Sequence, residues 1–479
     1  MICQALLCEP PGRMGTTMSS SAAPYRPDPR IRALGDPFHE VVEAADFPAC
    51  TARFLNQRWA ARVGLQLNER QWAAHFCRFE PLRDNLPDRL ALKYHGHQFR
   101  VYNPEIGDGR GFLHAQLRDD SGRLLDLGTK GSGQTPYSRH ADGRLTLKGG
   151  MREVLATEML EALGVNTSKS FALFETGEAL ERGDEPSPTR SSVLTRLSHG
   201  HIRIGTFQRL AFVGEADNIR ALVRYCLENL YSESVGNDDS ENAVRLFDLV
   251  AGATAKLAAS YLAAGFVHGV LNSDNINVTG ESFDYGPWRF TPDWDPEFTA
   301  AYFDHYGLYA FGRQPEAIHW DLAQLAGCLA LVADAPALSD VLAGWSGRFE
   351  QALIAAFLWR LGVEHEHGDR EVAGALIRAL ATREATIDRI FFDWRGGRDP
   401  GVETYGSEPY RELAARLQGR ERPQSHPYWS GPGPCSMHID EVEAIWSAIA
   451  ESDDWKPFND KVTAVRLMGE AMEQDAPTA

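Results

Sequence analysis

Up to about residue 212 the apolar residues of the chain come in short runs that alternate with polar ones and break at glycines. Beyond it they recur every three or four positions over long stretches. A period of two marks half-buried strands and a period near 3.6 marks amphipathic helices, so the pattern predicts a strand-rich first part and a helix-rich second part. In the first part, "YHGHQFRVYNPEIGDGRGFLHAQLRD" (94–119) predicts a strand, a tight glycine loop and a strand. "RLLDLGTKGSG" (123–133) predicts a strand ending in Lys130, and "SSVLTRL" (191–197) another. Two helices interrupt this region, at 49–63 and at 151–164, where Val154, Met159 and Leu163 form an apolar face and Gly164 a stop. In the second part, 243–266 places Leu246, Val250, Leu257 and Tyr261 near one face, and further helices follow near 319–333, 340–361 and 370–389. Residues 390–440 are dense in Gly and Pro, lead to a short helical tail, and are expected to be mobile across 400–440. The division is therefore a disordered tail at 1–30, rich in Ser, Pro and Gly, a strand-rich region at 31–212, a helical region at 213–395 and an extension at 396–479.

Composition narrows the class without naming a chemistry. With 479 residues, 43% hydrophobic and 24% charged, the chain has enough apolar material for a large core. A formal charge of −18 argues against a nucleic-acid partner, because polyanion binding rests on basic surface. A small phosphate ligand held by local lysines and arginines remains compatible with it. No apolar run approaches the roughly 18 residues of a membrane span, and "MICQALLC" lacks the basic start and the length of a secretory signal, so no membrane partner is expected. The seven cysteines (3, 8, 50, 77, 226, 328 and 435) form no C-x-x-C pair, which gives no sign of a disulfide framework or zinc site and favours a reducing, cytoplasmic setting. The few arginines of the tail disfavour organellar targeting.

The chemistry concentrates at "HGVLNSDNINVTGESFDYG" (268–286). His268 and Asn275 stand seven apart and Asp284-Tyr285-Gly286 follows, the spacing of a protein-kinase catalytic loop and its metal-binding D-F-G. Together with the strand-then-helix order, this predicts an α+β, protein-kinase-like bilobal fold. Asn275 and Asp284 are hard oxygen ligands of the kind magnesium takes, although Asn, Asp and Gly also dominate ordinary turns. The place of the kinase base is taken by Val270, which accepts no proton. Lys130 at a strand end and Glu153 in the following helix fit a phosphate-holding lysine and the glutamate that orients it. "GDGRG" (107–111) falls on the hairpin before Lys130, where its amides could approach phosphates. Arg196 and Arg203, seven apart among apolar residues, suit phosphate clamps, with two surface arginines as the alternative. "EHEHGD" (364–369) lacks H-E-x-x-H spacing and fits a solvated loop. "YHGHQF", which falls on no clear element, fits core or hairpin packing.

The motifs "YHGHQF", "GDGRG", "KGSGQTPYSRHADGR", "MREVLATEML", "TRLSHGHIRIGTF", "HGVLNSDN", "FDYGP" and "RQPEAIHWDLAQLA" together resemble the selenoprotein O (SelO, YdiU-like) family over about 94–330. That resemblance implies a pseudokinase-fold enzyme that transfers AMP from ATP to Ser, Thr or Tyr hydroxyls of proteins, with the nucleotide inverted relative to a kinase. It implies Asp274 as the catalytic base and Asn275 and Asp284 as ligands of magnesium, with manganese as the alternative. Lys130 and Glu153 become an ion pair, and Gly107, Gly109, Arg110, Asp142, Gly143, Arg196 and Arg203 line the nucleotide. The chain departs from the family in "NSDN" and "GRQP", and in its last cysteine, Cys435, which makes redox control by a terminal cysteine pair doubtful. A conventional kinase and a non-catalytic nucleotide-binding scaffold are the rival readings. The first lacks a base at Val270, and the second leaves Asp274 and the two arginines without a task.

Overall fold

The computed structural model describes residues 23–183 and 185–477. Most of the expected disordered tail lies outside these residues, but its described end is built in: Arg26 O accepts from Arg118 N at 2.9 Å and Asp28 N donates to Gln116 O at 3.0 Å.

The first part contains β1 (His39–Val42), β2 (Thr51–Leu55), α1 (Gln57–Arg62), α2 (Glu69–Phe76), β3 (Arg89–Leu92), β4 (Gly96–Gln98), β5 (Val101–Asn103), β6 (Leu113–Arg118), β7 (Leu124–Lys130), β8 (Leu145–Thr146), α3 (Leu147–Ala162), β9 (Lys169–Leu180) and β10 (Thr189–Ser198). Strands pair antiparallel in the order β1-β3-β6-β7-β10-β9-β2, with β8 on β10, while β4 and β5 form a separate hairpin. β7 is buried along its whole length, and its register against β10 sets Lys130 opposite Leu194 and Arg196 opposite Gly128. The helix expected at 49–63 is corrected to a strand followed by a short helix. Pairing of Thr51–Leu55 with β9 overrides local propensity, and Asn56 ends the strand by accepting from Trp59 N at 3.2 Å. Cys50 and Cys77 are disulfide-bonded across this corner, against the expectation from their spacing. "GDGRG" precedes β6 instead of turning a hairpin and lies beside the end of β7, where Gly131 N donates to Arg110 O at 2.7 Å.

The second part is helical: α4 (Ile204–Phe212), α5 (Ala216–Tyr225), α6 (Asp239–Ala264), α7 (Gln314–Leu329), α8 (Ala335–Ala343), α9 (Trp345–Leu361), α10 (Asp369–Ala381), α11 (Ile387–Asp393), α12 (Glu408–Leu417), α13 (Ile439–Ser452) and α14 (Lys456–Gln474), with the two-stranded pair β11 (Phe266–Val267) and β12 (Arg289–Phe290). α6 starts at Asp238, whose carboxylate accepts from Ser240 N and Glu241 N, and stops at Gly265 in the left-handed conformation. It is long and apolar enough to cross a membrane, contrary to the composition reading. Two-thirds of its apolar window is buried inside the protein, packed by α7, α8 and α9. The loop-rich 390–440 contains α12, whose Tyr410, Leu413 and Leu417 are buried, so this stretch is packed more than its Gly and Pro content predicts. The tail is two long helices that brace α3: Arg466 on α14 makes a two-pronged ion pair with the buried Glu158 at 2.7 and 2.9 Å, and Lys148 meets Glu443 of α13 at 2.7 Å.

Candidate active site

α3 begins where Thr146 accepts from Gly149 N at 3.1 Å, and its second turn carries Glu153 toward the end of β7. Lys130 and Glu153 meet there at 2.5 Å, both buried, and the same ammonium reaches Asp284 Oδ1 at 2.7 Å. Arg196, from the neighbouring strand, completes a four-charge cluster at 3.5 Å from Glu153 and 3.4 Å from Asp284. Burial alone would raise the Asp284 carboxyl, but Lys130, Arg196, Arg110 and Arg203 outweigh it and hold it well below the usual range, so it is ionised. Asp284 has φ +64, a left-handed backbone that costs a non-glycine residue about 1 kcal/mol and that the surrounding cluster maintains.

The loop with Asp274 is fixed from several sides. His268, kept neutral by burial, donates from Nε2 to Phe283 O at 3.0 Å and accepts from Val270 N at 3.4 Å, tying the loop to the Asp284 turn. The seven-residue spacing of His268 and Asn275 thus has a structural meaning even with valine between them: Asn275 Nδ2 donates to Val270 O at 3.0 Å. From the other side, His97 N donates to Ser273 Oγ at 2.7 Å and Phe99 N to Asn272 Oδ1 at 3.0 Å. "YHGHQF" carries the first strand of the β4–β5 hairpin, and it grips the loop with Asp274. A Cβ on Gly96 would lie 2.9 Å from Asp274 Cβ and Oδ1, so only glycine permits this approach. Asp274 is buried, its Oδ1 has no hydrogen-bond partner, and Arg203 Nη1 donates to its backbone oxygen at 3.2 Å. Burial pushes its carboxyl up to about 7, opposed by Arg203 and reinforced by Asp284.

These groups open on one cleft of about 290 Å³. Five cations (Arg110, Lys130, Arg139, Arg196, Arg203) and three carboxylates (Asp108, Asp274, Asp284) line it, an excess of positive charge inside a chain of formal charge −18. Phosphates belong in such a site. Gly107 and Gly109 form its roof, packed so tightly on Tyr137 that a Cβ on Gly107 would fall 2.5 Å from the ring.

A family profile described as protein adenylyltransferase SelO matches residues 23–405. Relatives named protein nucleotidyltransferase YdiU align nearly end to end. The one from Synechocystis sp. is 40% identical over 91% of this chain and 96% of its own, that from Synechococcus elongatus 40% over 93% and 95%, and that from Gloeobacter violaceus 41% over 92% and 94%. The chain belongs to the SelO family of protein adenylyltransferases. It is accordingly a nucleotidyltransferase, and ATP is the substrate of this SelO enzyme.

Of the residues singled out in the sequence, the structure brings Gly107, Gly109, Arg110, Lys130, Arg196, Arg203, Asp274 and Asp284 to the cleft, with Glu153 directly behind Lys130. Asn275, Asp142 and Gly143 are not among the lining residues. Asp142 pairs with Arg182 at 2.9 Å on the surface, and Gly143, at φ +70, packs on Gly133 O. Sequence reasoning passed over Asp108, which accepts from Arg203 Nη2 at 3.2 Å and from Leu92 N at 3.0 Å, and Tyr94, whose ring lies 4.2 Å under the Arg203 guanidinium. Among the described residues no group of three or more His, Cys, Asp or Glu could hold a metal. Of the expected pair Asp284 lines the cleft, and a carboxylate there suits magnesium, which needs only one or two protein oxygens when phosphates and water complete its shell. Asp284 is ionised, and Asn275 commits its amide nitrogen to Val270, leaving the carbonyl oxygen for a cation.

Proposed function

We propose that this SelO protein has a protein-kinase-like bilobal architecture and moves the α-phosphoryl of ATP, held inverted, onto Ser, Thr or Tyr hydroxyls of proteins, with Asp274 as base. The observation that carries the reading is the pairing of Val270, which cannot accept a proton, with Asp274, whose Oδ1 is free of partners in the cation-lined cleft. The acceptor oxygen attacks the α-phosphorus, its proton passes to the Asp274 carboxylate, the bond to the bridging oxygen breaks and pyrophosphate leaves. Lys130, Arg196 and Arg203 hold the phosphates as charge shifts toward pyrophosphate, and Glu153 keeps Lys130 extended toward them. Asn275 and Asp284 would hold magnesium or manganese, which supplies further neutralisation of phosphate charge.

The test is to incubate the protein with magnesium and ATP labelled on either the α or the γ phosphate and to follow label on protein. The expected outcome is α label only, with pyrophosphate released and a mass gain of one AMP, roughly 329 Da per site, as the atoms retained in such a transfer require. Label from the γ phosphate alone would identify a kinase and would remove Asp274 from its role. Bound ATP with no transfer, in the presence of an acceptor and of manganese as well as magnesium, would identify a scaffold.

A further inference from the structure

The loop between β12 and α7 holds exposed aromatic rings beside the catalytic loop. Tyr306 is 93% exposed, Tyr302 82% and Phe303 41%. Exposed rings in one place are uncommon without a partner, and this loop is held in a defined shape. The Asp304 carboxylate accepts from Leu308 N and Tyr309 N, both at 2.8 Å, and Arg313 Nη1 donates to Tyr306 O and Gly307 O, both at 3.2 Å. The backbone that carries the rings is therefore held, which lowers the entropy lost on binding.

Contacts run without a gap from this surface to the base. Phe303 lies 5.8 Å from the Phe99 ring, and Phe99 lies 5.1 Å from Tyr309. Phe99 N and Tyr309 Oη both donate to Asn272 Oδ1, at 3.0 and 2.7 Å, two residues before Asp274. Gln98, next to Phe99, lines the cleft itself. We propose that this aromatic surface docks the acceptor: an extended polypeptide segment whose apolar or aromatic side chain packs on Tyr302, Phe303 and Tyr306 while its hydroxyl reaches Asp274. The proposal rests on the adenylyl-transfer reading of the cleft. With phosphates in the cationic interior, the hydroxyl approaches Asp274 from outside it, and Gln98 and Phe99 link the lining of the cleft to these rings. Arg100 and Arg313 nearby share the one carboxylate of Glu316, at 3.0 and 3.4 Å. Asn272 lies within about 7 Å of Asp274 along the backbone, and the path from it to Phe303 runs through Phe99.

The probe is a set of synthetic peptides, each with one serine in an Ala, Gly and Lys background and a single phenylalanine placed one to seven residues from it on either side. The parent enzyme is expected to label best those with phenylalanine at one particular spacing on one side. Tyr302→Ala/Tyr306→Ala should raise KM for those peptides at least tenfold, with kcat and the melting shift given by magnesium and ATP unchanged. Tyr302→Phe/Tyr306→Phe should keep the parental KM, which separates packing on the rings from use of their hydroxyls. Labelling independent of phenylalanine position, or an unchanged KM in the double alanine variant, overturns the docking surface and leaves the transfer reading intact. A dimer that the alanine variant dissociates without changing KM also overturns it, by assigning the surface to a second copy. Failure of the parent to place α label on any peptide or protein overturns the transfer reading and this proposal with it.

Discussion

Lys130→Met removes the cation from the centre of a buried cluster, and its cost can be worked from the geometry. At an effective dielectric constant near 20, charges 2.5–2.7 Å apart attract by roughly 6 kcal/mol per pair, so Lys130 balances both Glu153 and Asp284. When it is gone, Asp284, whose side chain is 26% exposed, regains water, and Arg110, Arg196 and Arg203 remain near it. Glu153, with 1% of its side chain exposed, keeps only Arg196 at 3.5 Å. The penalty is that of an undercompensated buried charge, about 3–5 kcal/mol. Guanidinium unfolding monitored by fluorescence should show the midpoint fall at constant slope. Glu153→Gln in the Lys130→Met background neutralises the stranded carboxylate and keeps an acceptor for Arg196, so it should restore at least half of the loss, whereas in the parent it should destabilise. A loss below about 1 kcal/mol for Lys130→Met, or equal effects of Glu153→Gln in both backgrounds, would refute the existence of this ion pair in solution.

Asp284→Ala should abolish the rise in melting temperature produced by ATP with magnesium, measured by differential scanning fluorimetry. Asp274→Ala should keep that shift while α-label transfer falls at least a hundredfold, and Val270→Ala should leave transfer within about twofold, because only the valine's backbone groups bond to Asn275 and His268. Gly96→Ala puts a methyl against Asp274 and should cut transfer about tenfold or more with nucleotide binding preserved, as titration of ATP against each variant would show. Burial lowers His114 from 6.5 to about 3. The unfolded chain therefore takes up a proton that the folded one refuses, and the stability of the neutral form, complete above pH 6.5, is lost as pH falls toward 3. The denaturation midpoints of the parent and His114→Phe should converge in their pH response above pH 7 and diverge below it, by about 1.4 kcal/mol per pH unit.

The part of the site that reads from sequence is the part carried by contiguous stretches. Lys130 at its strand end, Glu153 in the next helix and the spacing of His268, Asn275 and Asp284 each follow from local pattern, and the structure draws these stretches together. Asp108 and Tyr94 escaped notice because their tasks are set by Arg203, roughly a hundred residues away in the chain, and nothing local marks an aspartate for a distant arginine. Asp142 lies in a motif shared with the family and pairs with Arg182 beside the residues that line the cleft, a position its local sequence does not mark. In the fold, β2 was mistaken for helix because its strand character comes from β9, and the Cys50–Cys77 bond was invisible because spacing says nothing about which corners meet.

The bond between Arg466 and Glu158 joins residues 308 positions apart, and this has a consequence for the order in which the enzyme comes into being. The helix that aims Glu153 is synthesised well before the helices that hold its outer side. At 5–20 residues per second, roughly 15–60 s of translation separate the two. Until then Glu158 has no Arg466 to meet, and the early strands and α3 emerge without the support that sets Glu153 against Lys130. An unfinished chain on the ribosome is therefore expected to be silent toward the nascent and folded proteins around it, and a message truncated before α14 to yield a product that cannot modify them.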